Sequence, residues 1–204
     1  MLEKIMNIGI DYDGTIADTN LEKSKLLKKK YGIEVPSWKC DKTECIFELK
    51  KHFSPEEAKR IYKSFHKILF TGEYAENAVE IPNAKKSIIE LSKKHNIYII
   101  TARYNYMMED AKKWLDKKGL SRYIQGIYST KIEDPNFGRI LSKKEICEQY
   151  KIDIIIDDDE RHLKNNIGNV KKILFKNKSP ETYNKKGTFV AKNWQEVISY
   201  INKL

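Results

Sequence analysis

Two aspartates separated by one residue, Asp11 and Asp13, close the apolar run Ile5, Met6, Ile8 and Ile10. In an extended chain side chains i and i+2 point the same way, so the pair presents two carboxylates together at a strand end. A buried carboxylate without a partner shifts its pKa or is expelled to solvent. A hard divalent cation such as Mg²⁺, which takes oxygen ligands in octahedral geometry, is the usual partner. The next residues, Gly14 and Thr15, suit a tight turn whose backbone N–H groups face an anion. A second acidic group, Asp157-Asp158-Asp159, follows the run Ile154-Ile155-Ile156. Three adjacent acids without a cation repel one another.

The elements that must bring these groups together are legible as alternation. Strands are expected near residues 5–11, 97–101, 125–129, 153–157, 171–175 and 188–191, and helices at 83–95, 105–119, 142–150, 160–167 and 193–203. Strand alternating with helix implies an α/β fold with a mostly parallel sheet covered on both faces. In such a sheet ligands gather at the carboxyl ends of the strands. Asn193 is expected to cap the last helix, with Glu196 in its first turn. Residues 20–79 break the alternation with three helical stretches: Leu21–Tyr31 ending at Gly32, Thr43–His52, and Ser54–Phe70. Ser54-Pro55-Glu56-Glu57 is a helix start with a Ser cap and Pro at the first helical position. Aromatics of this insertion, Trp38, Phe65, Phe70 and Tyr74, are expected to fill its core, with one or two left to line a pocket.

The chain has 204 residues, 40% hydrophobic and 11% aromatic, enough for one substantial core with a small insertion. No run approaches a membrane span, and the N-terminus lacks the layout of a leader, so no membrane partner and a cytoplasmic location are expected. The three cysteines, Cys40, Cys45 and Cys147, imply no disulfide framework. Cys40 and Cys45 find no second Cys/His pair to complete a zinc site, since His52 and His66 are isolated, and Cys147 reads as a buried hydrophobe. The net charge of +10 invites a nucleic-acid partner, but only five of the 39 basic residues are arginine, and the lysines are spread along the chain. Solvated helix faces account for most of them, and the charge still attracts phosphorylated substrates.

Asp11-Tyr12-Asp13-Gly14-Thr15 resembles motif I, D-x-D-G-T/V, of the haloacid dehalogenase (HAD) superfamily of phosphohydrolases. Ile97–Thr101 with Ala102 and Arg103 resembles motif II, Lys143 in Ser142-Lys143-Lys144-Glu145 resembles the motif III lysine, and Asp153–Asp159 resembles motif IV. The resemblance implies a Rossmann-like doubly wound, mostly parallel sheet over residues 1–19 and 80–204. A small α-helical cap, residues 20–79, is inserted after the first strand. Ile81-Pro82-Asn83-Ala84 is similar to the family's return to the core, with Asn in place of the usual Gly.

By this resemblance Asp11 is the nucleophile and Asp13 the general acid and then base. Thr101 hydrogen-bonds a phosphoryl oxygen, and Lys143, with Lys144 as rival, neutralises charge on the transferring group. Gly14, Thr15, Ala102 and Arg103 bind substrate, although Arg103 could equally pair with surface acids. Asp11, the carbonyl of Asp13, Asp157 and Asp158 hold Mg²⁺, the last directly and Asp157 through water; Asp159 caps the next helix. A second aspartate at position 13 goes with phosphatases and phosphotransferases rather than dehalogenases. Thr-Ala-Arg, the short helical cap, Ile-Asp-Asp and Lys192–Glu196 are similar to a bacterial nucleotidase branch related to 5′(3′)-deoxyribonucleotidases.

The activity implied is Mg²⁺-dependent hydrolysis of a phosphomonoester through an aspartyl-phosphate, on a nucleotide or another small phosphate ester. The alternatives are a polynucleotide 3′-phosphatase, a sugar-phosphate phosphatase or mutase, and a non-catalytic binding protein on the same scaffold. Intact Asp11, Asp13, Thr101 and Asp158 weigh against the last.

Overall fold

The structure is a computed structural model that describes residues 4–164, 169–183 and 186–204; the side chain of His66 also lies outside the described part. Parallel strands β1 (Asn7–Ile10), β2 (Asn96–Thr101), β3 (Ile124–Ser129), β6 (Ile154–Asp157), β7 (Lys171–Phe175) and β8 (Thr188–Ala191) form one sheet in the order β3-β2-β1-β6-β7-β8. All six are where alternation put them. A two-stranded antiparallel hairpin, β4 (Glu133–Asp134) with β5 (Arg139–Ile140), was not legible, being two residues on each side.

Strand side chains sort by parity, as a pleat requires. Ile8 and Ile10, Ile97 and Ile99, Ile154 and Ile156, Ile173 and Phe175 belong to one core cluster. Ile100, Ile155 and Leu174 belong to the cluster on the other face. Burial on both faces explains why these strands read as unbroken β-branched runs. The first face is covered by α5 (Ala84–Ser92), α6 (Asn105–Lys117) and α9 (Trp194–Ile201), through Ile88, Trp114 and Trp194 among others. The second is covered by α7 (Lys143–Gln149) and α8 (Glu160–Lys164), through Ile146 and Leu163. Residues 165–167, assigned to this last helix from the sequence, lie outside the described residues.

Between β1 and α5 run α1 (Thr19–Tyr31), α2 (Lys42–Leu49), α3 (Pro55–Leu69) and the short α4 (Gly72–Glu76). Gly32 ends α1 in the left-handed region, and Ser54 caps α3 through its hydroxyl, both as the sequence indicates. Leu27, Leu49, Ile61, Phe65 and Phe70 close a separate apolar cluster, which Met107 of α6 joins. Phe65 and Phe70 are therefore core, whereas Tyr74 is 49% exposed and Trp38 only half-buried. Cys40 and Cys45 are buried free thiols in the same cluster, and Cys147 is buried under the sheet. Asn83, which precedes α5, has φ of 67°. That is the left-handed region glycine favours and asparagine tolerates, so Asn in place of Gly preserves the turn.

Among the described residues no helix is long and apolar enough to cross a membrane.

Candidate active site

The chain leaves β1 for β2 and β3 on one side, then returns to β6, β7 and β8 on the other, so β1 and β6 flank the switch point. A crevice opens at the carboxyl ends of strands where such a sheet reverses order. Asp11 follows β1 there and continues the sheet by donating its N–H to the Ile156 carbonyl at 2.8 Å. Asp157 ends β6, and Asp158 follows it. The cleft at this edge, about 310 Å³, is lined by Asp11, Asp13, Thr101, Ala102, Arg103 and Asp158 from the sheet side. Lys23, Tyr62 and Phe70 line it from the inserted helices.

Lys143 sits beneath the two strands. Its ammonium reaches Asp11 Oδ1 at 2.9 Å and Asp157 Oδ2 at 2.5 Å, with all three side chains buried. The placement comes from a capping box: Ser142 accepts the Glu145 N–H, and the Glu145 carboxylate accepts the Ser142 N–H. That locks Lys143 as the first residue of α7. The Ser142 N–H and hydroxyl, with Arg139, hold the Glu145 carboxyl down to about 2. Lys144 points away to an exposed contact with Glu148. The choice left open between the two lysines falls, in geometry, to Lys143.

The carboxylates differ in their surroundings. Burial tends to raise Asp157, but Lys143 and His162 outweigh it and hold the carboxyl well below the usual range. Its oxygens are occupied by Lys143, the Asp159 N–H at 2.9 Å and His162 Nδ1 at 3.1 Å. Asp157 is fully buried and does not face the cleft. Burial pushes Asp11 up to about 8 against the pull of Lys143, with the charge of Asp157 adding to the rise. Burial and the charges of Asp11, Asp157 and Asp159 push Asp158 well above the usual range. Among the described residues its side chain accepts from the Asn20 amide, at 2.8 Å. Crowded carboxylates facing one cleft fit a hard divalent cation.

Asp11, Asp157 and His162 also lie close enough to share an ion. That set suits Mg²⁺ less well, because Asp157 is already saturated and an imidazole is a softer donor. Asp11 and Asp158 face the cleft and keep oxygens to spare. Asp159 accepts the Arg161 N–H at 3.0 Å, as a cap of α8 does, and also binds the Arg161 guanidinium.

Arg103 pairs with an acid, but with the cleft aspartate Asp13 and not one at the surface. Its side chain is 2% exposed, with Nε and Nη2 on the Asp13 carboxylate at 2.9 and 2.8 Å. The guanidinium lies over the rings of Tyr12 and Phe70, at 4.4 and 5.0 Å. Its fork is spent on Asp13, so it positions that acid rather than offering free donors to a substrate. Thr101 is buried at the cleft, and its hydroxyl oxygen accepts the Arg103 N–H at 3.3 Å.

Gly14 and Thr15 are placed otherwise than expected. The Gly14 N–H donates to the Ala17 carbonyl at 2.8 Å and so does not face an anion. Thr15 is fully buried behind the cleft, its carbonyl accepting the Trp194 indole N–H at 3.0 Å. The turn closes on itself, because four residues suffice to return the chain to Ala17. What Gly14 supplies is space: a Cβ there would stand 2.1 Å from Asp158 Oδ2, at a φ of +78°. Gly14→Ala is therefore expected to lower stability by about 1–3 kcal/mol and to displace Asp158, measurable by melting.

Sequence reasoning missed Asn20, Lys23 and His162. Nothing in their spacing marks them: Asn20 and Lys23 make contacts set by the fold, with Asp158 and with Cys40 and Tyr62, while His162 reaches back to Asp157.

The model of the family described as 5′ nucleotidase, deoxy (pyrimidine), cytosolic type C protein matches residues 4–204. A search of curated proteins found no match. Among solved structures, a haloacid dehalogenase-like hydrolase from Streptococcus pneumoniae is similar with a TM-score of 0.62 at 19% identity, over 97% of this chain and 98% of that one. A candidate HAD hydrolase from Bacillus subtilis, bound to magnesium, gives 0.56 at 16% identity, over 98% and 100%. The L-2-haloacid dehalogenase of Xanthobacter autotrophicus, with chloropropionic acid covalently bound, gives 0.57 at 10%, again over 98% and 100%. At these identities the likeness is one of fold.

Proposed function

We propose that this chain, which belongs to the family of cytosolic type C 5′ (deoxy, pyrimidine) nucleotidases, is a Mg²⁺-dependent phosphomonoesterase acting on nucleotides through an aspartyl-phosphate. The observation that carries the reading is the Lys143 ammonium bridging Asp11 and Asp157 below a cleft that Asp158 and Thr101 share. The fold alone does not decide, since dehalogenases share it. Asp13, held by Arg103 beside Asp11, supports phosphate chemistry. The family's description names the cytosol, and we propose that compartment.

In this mechanism Asp11 attacks phosphorus, forming a P–O bond as the ester oxygen leaves. Asp13 gives the leaving oxygen its proton, then takes one from the water that hydrolyses the aspartyl-phosphate. Arg103 fixes the Asp13 carboxylate in direction during both steps. The Thr101 hydroxyl hydrogen-bonds a phosphoryl oxygen, and Lys143 offsets charge on Asp11 and the transferring group. Asp11, Asp158 and the Asp13 carbonyl would hold Mg²⁺, which supplies neutralisation of the phosphoryl oxygens when bound.

A phosphate-release screen over nucleotides, sugar phosphates and 3′-phosphorylated DNA, with and without EDTA, tests the reading. Nucleoside monophosphates are expected to give the highest kcat/KM, with turnover lost in EDTA and restored by Mg²⁺. Preference for DNA ends or sugar phosphates would overturn the substrate class, and EDTA-resistant turnover the metal.

A further inference from the structure

Among the described residues, three phenylalanine or tyrosine side chains line the cleft: Tyr62 and Phe70 from the inserted helices, and Tyr104 from the core. The first two are already engaged. Both are buried, and the Lys23 ammonium stands over their rings at 5.4 and 5.8 Å. The Arg103 guanidinium also lies over Phe70, at 5.0 Å, and the Tyr62 hydroxyl accepts from Lys23 at 3.5 Å. These two rings are packing partners of buried cations, so neither is open to a flat ligand.

Tyr104 differs. It is 42% exposed and stands just before α6, where its carbonyl accepts the Met107 N–H at 2.9 Å and its side chain makes no cap. Its ring lies 10° from parallel with that of Tyr106, their centroids 6.0 Å apart. Tyr106 is exposed as well and does not line the cleft, so it backs Tyr104 from outside. The part of the Tyr104 ring that lines the cleft is left uncovered. Asp11 and Thr101 are buried at the floor of the same cleft. A nucleotide whose phosphate sits between them must place its nucleoside toward the mouth, where Tyr104 offers apolar surface on a rigid ring.

We propose that Tyr104, backed by Tyr106, is the platform on which the nucleobase stacks, and that the base is held by its face, so that purines and pyrimidines are accepted alike. The inference rests on the nucleotide reading above and deepens it. The acceptance is wider than the pyrimidine named in the family's description. Every base has a π face, so stacking supplies affinity without reading which base is present.

The test measures kcat and KM for adenosine and uridine 5′-monophosphates, and Ki for inorganic phosphate, using the full chain with Mg²⁺. Phosphate has no base and reads the cleft floor alone. Wild-type kcat/KM for the two nucleotides is expected to agree within about tenfold, since both bases stack. Tyr104→Ala is expected to raise both KM values at least about fivefold, the low end of what a stacked base contributes, without a matching rise in Ki. Tyr104→Phe keeps the ring and is expected to stay within about twofold of wild type. Tyr104→Leu, which keeps apolar bulk without a ring, is expected to follow Tyr104→Ala and decides the matter if the alanine variant does not fold. A wild-type preference above tenfold for either base overturns the proposal. So does an unchanged KM in Tyr104→Ala, or a KM and Ki that rise together, which would put Tyr104 at the phosphate or in the packing. Para-nitrophenyl phosphate separates the two readings: its Asp11-dependent turnover, with nucleotide KM unmoved by Tyr104→Ala, leaves the phosphatase standing and removes only the platform. No turnover of any ester removes both.

Discussion

Asp11→Asn is expected to lower kcat for phosphate-ester hydrolysis by roughly 10⁴-fold or more, the scale on which loss of a covalent nucleophile acts. The amide keeps the shape of the side chain but cannot form an acyl phosphate. Stability should move the other way. Asp11 is a buried carboxylate beside Asp157 and Asp158, and burial already pushes its pKa up to about 8. A neutral amide cannot take on the charge that burial beside those carboxylates disfavours, while Lys143 keeps Asp157 as its partner. The melting temperature without metal is therefore expected to hold or rise. The two readouts together distinguish a chemical loss from a folding loss. A variant that retained more than a hundredth of wild-type turnover would show that Asp11 is not the nucleophile.

The sequence carried most of the architecture because the sheet is buried on both faces. Ile154-Ile155-Ile156 has to be an unbroken apolar run, since Ile154 and Ile156 pack on one face and Ile155 on the other. The acids that follow such runs were visible because they break the apolar pattern, although Asp11, Asp157, Asp158 and Asp159 are themselves buried. The β4–β5 hairpin escaped because two residues per strand leave no period to read. Site geometry was less legible. Arg103 was readable as a cation near Thr101, but its bidentate grip on Asp13 depends on β1 lying beside β2. Gly14 was read as a phosphate-facing turn, and its need arises instead from Asp158, which comes beside it only once β6 pairs with β1. Lys23 carries no local signal, because a lysine on a lysine-rich helix looks solvated until the fold buries it.

Lys143→Met tests the arrangement from its other end, and both activity and stability should fall. The methionine keeps most of the length and apolar stem of the lysine and deletes the ammonium. Asp11 and Asp157 then face each other, buried, without the cation that both contact. Removing one member of a buried ion pair costs about 3–5 kcal/mol. For a chain of this size that corresponds to roughly a 10 °C fall in Tm. Activity should drop by about 10²–10³-fold, since the proposed mechanism uses the Lys143 charge to offset that on Asp11 and the transferring group.

The sign of the pH dependence follows from Asp157. In the wild type its carboxyl is held below the usual range by Lys143 and His162, after burial is overcome. A depressed carboxyl contributes stability above its unfolded pKa, about 4, and loses it as pH falls through the folded value. Without Lys143 that contribution shrinks and Asp157 protonates more readily. The Tm gap between wild type and Lys143→Met should therefore narrow as pH falls toward the usual carboxylate range, about 4. Asp157→Asn in the Lys143→Met background removes the orphaned charge and should restore part of the lost stability, a non-additive pair of the kind contacting residues give. A gap independent of pH, with strictly additive variants, would mean that Lys143 acts through packing and not through the two carboxylates it bridges.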